Sequence, residues 1–383
     1  MMSEKDVMEK CARYVMQTYT RQPIVLKEGK GAIVKDVNGK EYIDCIAGIA
    51  VNNVGHCHPR VVSAIKEQAE HLIHISNLYY NEPQAQLAEK IVELTPIDRV
   101  FFCNSGTEAV EAALKLARKA SGKKEFIAAE GSFHGRTLGA LSITYKEKYR
   151  KPFEPLIPGA RFVPYNDVDA IQDTISNETA AVILEPIQGE NGIRIPSEGY
   201  LRAVRDVCDE KDVLLILDEV QTGFGRTGKW FAYEHYGVEP DIMTMAKALG
   251  GGFPMGAMCA REDIAKNFQV GDHGSTFGGD PLACAASLGA ISAIEEEKLV
   301  ERAGKLGTYF MQKLRNLRQE HIKEIRGKGL MIGIELSIDG NAIVDMAREK
   351  GVLLNCISDR IIRIVPPLVI TEQQIDRVVE VLG

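Results

Sequence analysis

The stretch LLILDEVQ, Leu214 to Gln221, sets the fold. Four wholly apolar residues are too few for a buried helix and carry no alternation, so they read as a strand covered on both faces. Asp218 follows at once, and a carboxylate at the end of a dry strand is costly to bury without a partner. A second stretch, DIMTMAKALGGG (Asp241 to Gly252), repeats the pattern with a different ending. Here the apolar run delivers Lys247 into a run of glycines.

Working outward, further apolar runs occur at Arg99 to Cys103, Glu125 to Ala129, Ala180 to Leu184 and Ala257 to Ala260. Amphipathic stretches such as Glu108 to Lys119 and Tyr200 to Glu210 lie between them. Short apolar strands alternating with helices predict an α/β fold, a mostly parallel central sheet flanked by helices. The two ends of the chain differ from this centre. Gly31 to Asp44 carries Asn38-Gly39 between apolar stretches, a hairpin signature. Glu295 to Glu320 reads as one long charged helix, and Met331 to Leu336 and Ile361 to Val365 as strands. The expected division is an N-terminal segment 1–54, a large central domain 55–280 and a C-terminal segment 281–383. The two end segments would together make a smaller α+β domain.

Length and composition agree with this. At roughly 150 residues per domain, 383 residues suggest two domains. Apolar residues make up 45 % and the net charge is −7, so nucleic acid and anionic membranes are poor partners for the surface. No apolar run approaches the roughly 18 residues that span a membrane. The charged N-terminus lacks a secretory h-region, and the eight cysteines are scattered singly. A cytoplasmic protein with reduced thiols is expected, and no metal site: in His56-Cys57-His58 three adjacent side chains cannot easily converge on one ion.

In open α/β sheets ligands bind beyond the carboxyl ends of the strands. After Cys103 comes Asn104-Ser105-Gly106-Thr107-Glu108, whose small residues at a helix N-terminus suit either a phosphate or a plain helix cap. After Leu217 comes Asp218; after Ala246 comes Lys247, whose amine burial would free for Schiff-base chemistry. A phosphate cradle, a carboxylate and a lysine at three strand ends match pyridoxal phosphate. Gly223 to Lys229 (GFGRTGK) mimics nucleotide loops, but Trp230 stands where a P-loop needs Ser or Thr.

At this point the chain resembles the class III pyridoxal phosphate aminotransferases of fold type I, across nearly its whole length. The carrying motifs are GIAVNNVGHCHP (Gly48 to Pro59), NSGTEAVEAALKLARK (Asn104 to Lys119), SFHGRTLGALS (Ser132 to Ser142), ILEPIQGENG (Ile183 to Gly192), LLILDEVQTGFGRTGK (Leu214 to Lys229), AKALGGGFPMGA (Ala246 to Ala257), HGSTFGGDPLAC (His273 to Cys284) and RGKGLMIGIEL (Arg326 to Leu336). The resemblance implies that Lys247 carries the internal aldimine and shuttles the proton. It implies that Asp218 pairs with the pyridinium nitrogen and that Gln221 approaches the phenolic oxygen. Phe133 and Val220 would sandwich the ring, and Ser105, Gly106 and Thr107 would hold the phosphate. Thr276, with Ser275 beside it near the substrate, would reach in from the neighbouring subunit of a homodimer with shared active sites.

The resemblance further implies a ping-pong transfer of the terminal amino group of N2-acetyl-L-ornithine to 2-oxoglutarate, as in arginine biosynthesis. The products would be N-acetyl-L-glutamate 5-semialdehyde and L-glutamate. Arg136 would clamp the distal carboxylate and Arg363 the near one, because arginine grips carboxylates bidentately. Glu185 would pair with Arg363 when no α-carboxylate is present. Apolar Ile49 would face an acylated, uncharged nitrogen. Another acylated diamine, free ornithine, 4-aminobutyrate, or an aminomutase reaction of the glutamate-semialdehyde type remain the alternatives.

Overall fold

A computed structural model of the chain describes residues 2–317 and 319–383. Its centre is a seven-stranded sheet, with β1 at Arg99–Cys103, β2 at Glu125–Ala129, β3 at Ala160–Val163, β4 at Thr179–Leu184, β5 at Leu214–Asp218, β6 at Ile242–Met245 and β7 at Gly256–Ala260. The spatial order is β1-β7-β6-β5-β4-β2-β3, and β7 alone runs against its neighbours. The inner strands β4 and β6 are buried at every position. Such strands need cover on both faces, and two apolar clusters supply it.

The helix Gly106–Ser121 shows how local sequence places a site residue. The Ser105 hydroxyl caps it by accepting from the Glu108 N–H, and Gly122 closes it in the left-handed region at φ 72°. Its alanine-rich face (Ala109, Ala112, Ala113, Ala117) is buried. The helix N-terminus therefore opens at the carboxyl end of β1, where the expected phosphate cradle lies.

The ends of the chain build two smaller sheets. Strands Leu26–Lys30, Ile33–Asp36 and Glu41–Asp44 join Val352–Leu353 in one, so N-terminal and C-terminal segments share a sheet. Strands Ile322–Lys328, Met331–Leu336, Ile361–Ile364 and Asn355–Ile357 form the other. Of the helix expected over Glu295 to Glu320, Leu299–Arg315 forms, set off from the preceding helix Pro281–Glu296 where Lys298 takes φ 51°, and residue 318 lies outside the described residues. Asp280 caps Pro281–Glu296 by accepting from the Leu282 N–H. That helix packs on Pro59–His71 and Glu82–Leu94, so it leans on the centre of the chain.

Candidate active site

A cavity of about 450 Å³ opens at the carboxyl ends of β1, β2, β4, β5 and β6. Ten of the residues expected from sequence line it: Ser105, Gly106, Thr107, Phe133, Arg136, Glu185, Asp218, Val220, Gln221 and Lys247. Lys247 leaves β6 in the left-handed region at φ 47°, a strained conformation for a residue with a side chain. Its amine lies within the cavity lining, half-buried, and makes no hydrogen bond among the described residues. Burial pushes its pKa below the usual lysine range, against the raising influence of Glu190. An unpaired amine of lowered pKa is a readier nucleophile than an ordinary lysine.

Asp218 ends β5. One carboxylate oxygen takes the Val220 N–H at 3.1 Å, and the other lies 2.7 Å from His134 Nδ1. His134 is fully buried, and its Nε2 finds no partner among the described residues. The sequence reading quoted His134 inside a motif but gave it no role. Its partner Asp218 lies 84 residues further along the chain, so no spacing within that run points to the pair.

The donors at Ser105 to Thr107 divide their work. The Ser105 hydroxyl is taken up by Glu108, so for this side chain the helix-cap reading holds. The Thr107 hydroxyl accepts from the N–H groups of Arg136 and Thr137, each at 3.2 Å. What faces the cavity is the helix N-terminus itself, whose first N–H groups have no intrahelical acceptor. A Cβ at position 106 would come within 2.8 Å of Val220, so only glycine lets Val220 lie this close to the cradle. These features fit a phosphorylated pyridine ring: a bare helix N-terminus, a carboxylate fixed by His134, Val220 and Phe133 on the walls, and a buried Gln221 Oε1 without a partner.

Arg363 sits behind the cavity lining, on strand Ile361–Ile364, and is 1 % exposed. The expected pair with Glu185 is not the one made. Arg363 pairs with Glu190 through Nη1 and donates to Asn355 Oδ1 at 2.8 Å through Nη2. The reason is local. Glu185 stands at the end of β4 with both oxygens engaged, by the Phe133 N–H at 3.0 Å and the Gly189 N–H at 2.9 Å. Glu190 lies five residues on, in the loop that reaches toward Arg363, and it lines the cavity. The two carboxyls titrate apart. Burial, with Asp218 adding to it, raises Glu185 to about 7. Burial would raise Glu190 too, but Arg363 outweighs it and holds Glu190 below the usual carboxylate range.

Arg136 is the opposite case. It is exposed at the cavity mouth, its Cζ lies 3.5 Å from the centre of the Tyr149 ring, and its guanidinium has no acidic partner among the described residues. Ser275 and Thr276 do not line this chain's cavity; Ser275 Oγ accepts from the Asn104 amide at 3.2 Å and from the Gly278 N–H at 3.0 Å, and Thr276 is exposed. Ile49 is not in the lining either, whereas Val51 is. His56 and His58 turn to different carboxylates, Asp44 and Glu297, each at 2.7 Å. In the GFGRTGK loop, Arg226 is fully buried and bonds the carbonyls of Leu330 and Pro366 and the side chain of Asn53. The loop is thus an internal clamp joining distant segments.

Comparisons with known proteins agree with this geometry. Residues 14–383 match the family described as Aminotransferase class-III. Acetylornithine aminotransferase from Methanosarcina acetivorans is 63% identical over 98% of this chain and 95% of its own length. The protein of that name from Methanothermobacter thermautotrophicus is 56% identical over 100% and 98%. Among solved structures, ornithine aminotransferase from Toxoplasma gondii superposes with a TM-score of 0.97 at 38% identity, covering 100% of this chain and 94% of that one. Acetylornithine aminotransferase from Elizabethkingia anophelis does so with a TM-score of 0.90 at 37% identity, covering 100% and 98%. With a lysine, a carboxylate and a helix N-terminus converging as pyridoxal phosphate requires, the chain belongs to the class III aminotransferases, pyridoxal phosphate-dependent transaminases of fold type I.

Proposed function

We propose that this transaminase takes the terminal amino group of N2-acetyl-L-ornithine and gives it to 2-oxoglutarate, forming N-acetyl-L-glutamate 5-semialdehyde and L-glutamate. The observation that carries the reading is the arginine pair around one cavity-lining amine: Arg136 with free donors, and Arg363 with a counter-ion that a substrate can replace. Acetylornithine presents a carboxylate only at the distal end, and glutamate presents one at each end. A site serving both in turn needs one permanent anion clamp and one that can be neutralised.

When bound, pyridoxal phosphate supplies an aldehyde that takes up the amino group and a ring that accepts electrons. The chain's own residues do the rest. The helix N-terminus at Gly106 and Thr107 binds the phosphate. Asp218, fixed by His134 and the Val220 N–H, holds a proton at the ring nitrogen. Phe133 and Val220 would hold the two faces of the ring, and Gln221 would address its phenolic oxygen. Lys247 Nζ moves the proton at the substrate carbon, and its lowered pKa favours the neutral amine for the task. Glu190 occupies Arg363 while acetylornithine is bound and yields to the α-carboxylate of glutamate.

Several further features belong to the same reading. Thr276 and Ser275 serve the site of a partner subunit in a homodimer; Thr276's exposure, its distance from its own cavity and the exposed Leu78, Tyr79, Tyr80 and Phe277 support this. The chain divides into 1–54, 55–280 and 281–383, with the ends forming the smaller unit around their shared sheet. A cytoplasmic site of action is supported by eight cysteines without a disulfide. No helix among the described residues is long and apolar enough to cross a membrane. Free ornithine is the second reading, since the Toxoplasma neighbour is an ornithine aminotransferase. Comparing kcat/KM for acetylornithine, succinylornithine, ornithine and 4-aminobutyrate with 2-oxoglutarate decides between them. Acetylornithine is expected to lead; a preference for free ornithine would overturn the assignment.

A further inference from the structure

Arg136 raises a physical question. A long, exposed arginine has many rotamers and loses that freedom whenever it grips a ligand. A permanent clamp must be held in place beforehand, and no acid among the described residues does so. What does is an aromatic corner. The Arg136 guanidinium carbon lies 3.5 Å from the Tyr149 ring centre and 5.4 Å from that of Phe133. Phe133 and Tyr149 meet edge to face, with centroids 6.4 Å apart and planes at 86°. A guanidinium laid on a ring keeps its in-plane N–H donors free, and those are the donors a carboxylate takes bidentately.

Tyr149 belongs to a short turn, Glu147–Arg150, and the residue before that turn reaches the other anion site. Just before it, Lys146 Nζ donates to the Glu190 carbonyl at 3.0 Å. One segment therefore meets both the arginine that waits for a carboxylate and the loop that carries the counter-ion of Arg363.

We propose that Tyr149 is a positioning residue for the distal carboxylate: it holds Arg136 in the orientation that grips the substrate, and so sets the preference of the site for dicarboxylates. The proposal rests on Arg136 being the distal clamp, and its test separates the two. The holoenzyme is titrated calorimetrically with glutarate, an unreactive dicarboxylate, and with butyrate, which lacks one carboxylate. Tyr149→Leu and Tyr149→Ala are expected to weaken glutarate about 5- to 10-fold, the scale of a lost guanidinium–ring contact. Butyrate binding and the cofactor absorption band should not move. Tyr149→Phe, which keeps the ring, should bind glutarate within about 2-fold of the parent chain. Undiminished glutarate binding in both ring-less variants would overturn the proposal, as would equal losses for glutarate and butyrate. Arg136→Ala gives the reference: it should abolish the glutarate preference. If it does, while the Tyr149 variants bind normally, only the positioning role fails. If Arg136→Ala keeps the preference, the clamp assignment fails and the role of Tyr149 falls with it.

Discussion

Arg363 and Arg136 are the same residue type aimed at the same functional group, yet their surroundings are opposite. Arg363 is 1 % exposed and locked to Glu190 and Asn355; Arg136 is exposed and touches aromatic rings. Burial makes the difference. A guanidinium enclosed by protein needs a counter-ion, because leaving a buried charge unpaired costs several kcal/mol. Any carboxylate that reaches Arg363 must therefore displace Glu190, and a substrate without a carboxylate there leaves the pair intact. Arg136 stays solvated until ligand arrives and makes no such exchange. One clamp is conditional and the other permanent, which is what alternating amino donors demand.

The largest expected effect breaks the two apart. Arg136→Ala should lower kcat/KM about 100-fold for acetylornithine and for glutamate alike, the scale of a lost charge-assisted pair. Arg363→Ala should do so for glutamate and 2-oxoglutarate only, as single-turnover measurements of each half-reaction would read. Equal losses in both half-reactions for both variants would erase the distinction.

The next test moves from the arginines to their neighbouring carboxyls. Burial outweighs the lowering influence of His134 and raises Glu185 to about 7, whereas Glu190 is held low by Arg363. A raised folded-state pKa means that the folded chain binds the proton more tightly than the unfolded one. The contribution of Glu185 to stability is therefore fully present below pH 4.5 and is lost as pH rises through about 7. Relative to the parent chain, Glu185→Gln should gain about 2 kcal/mol across that window in cofactor-free protein, discounted for its two backbone donors. Urea unfolding at a series of pH values reads this as a difference in slope. Parallel curves would mean that Glu185 is ionised throughout.

A smaller effect sharpens the conditional clamp itself. Glu190→Gln removes the competing anion, so KM for 2-oxoglutarate should fall about 10-fold while acetylornithine turnover suffers. An unchanged KM would mean that Glu190 is not displaced by substrate.

Much of this was legible in the sequence, and the failures have physical causes. Six of the seven central strands coincide with apolar runs to within a residue, because a strand buried on both faces has nothing polar to hide it. β3 (Ala160–Val163) escaped notice because it is an edge strand with Arg161 in its middle. Ile322–Lys328 was masked in the same way by alternating charge. Lys247 and Asp218 stood out because strand ends give charged residues an address. The partner of Arg363 did not: Glu185 and Glu190 share one short motif, and only the path of the loop decides which faces the guanidinium. His134 and Tyr149 were invisible for a related reason, since their roles come from neighbours distant in the chain or stacked without hydrogen bonds.

The claim on which the rest depends is that the amine of Lys247 is the group that joins the cofactor. Incubating the protein with pyridoxal phosphate, reducing with borohydride and mapping the modified peptides by mass spectrometry tests it. The account predicts one pyridoxyl addition per chain on Lys247, with loss of activity in proportion. Addition scattered over surface lysines, with Lys247 unmodified and activity intact, would contradict it.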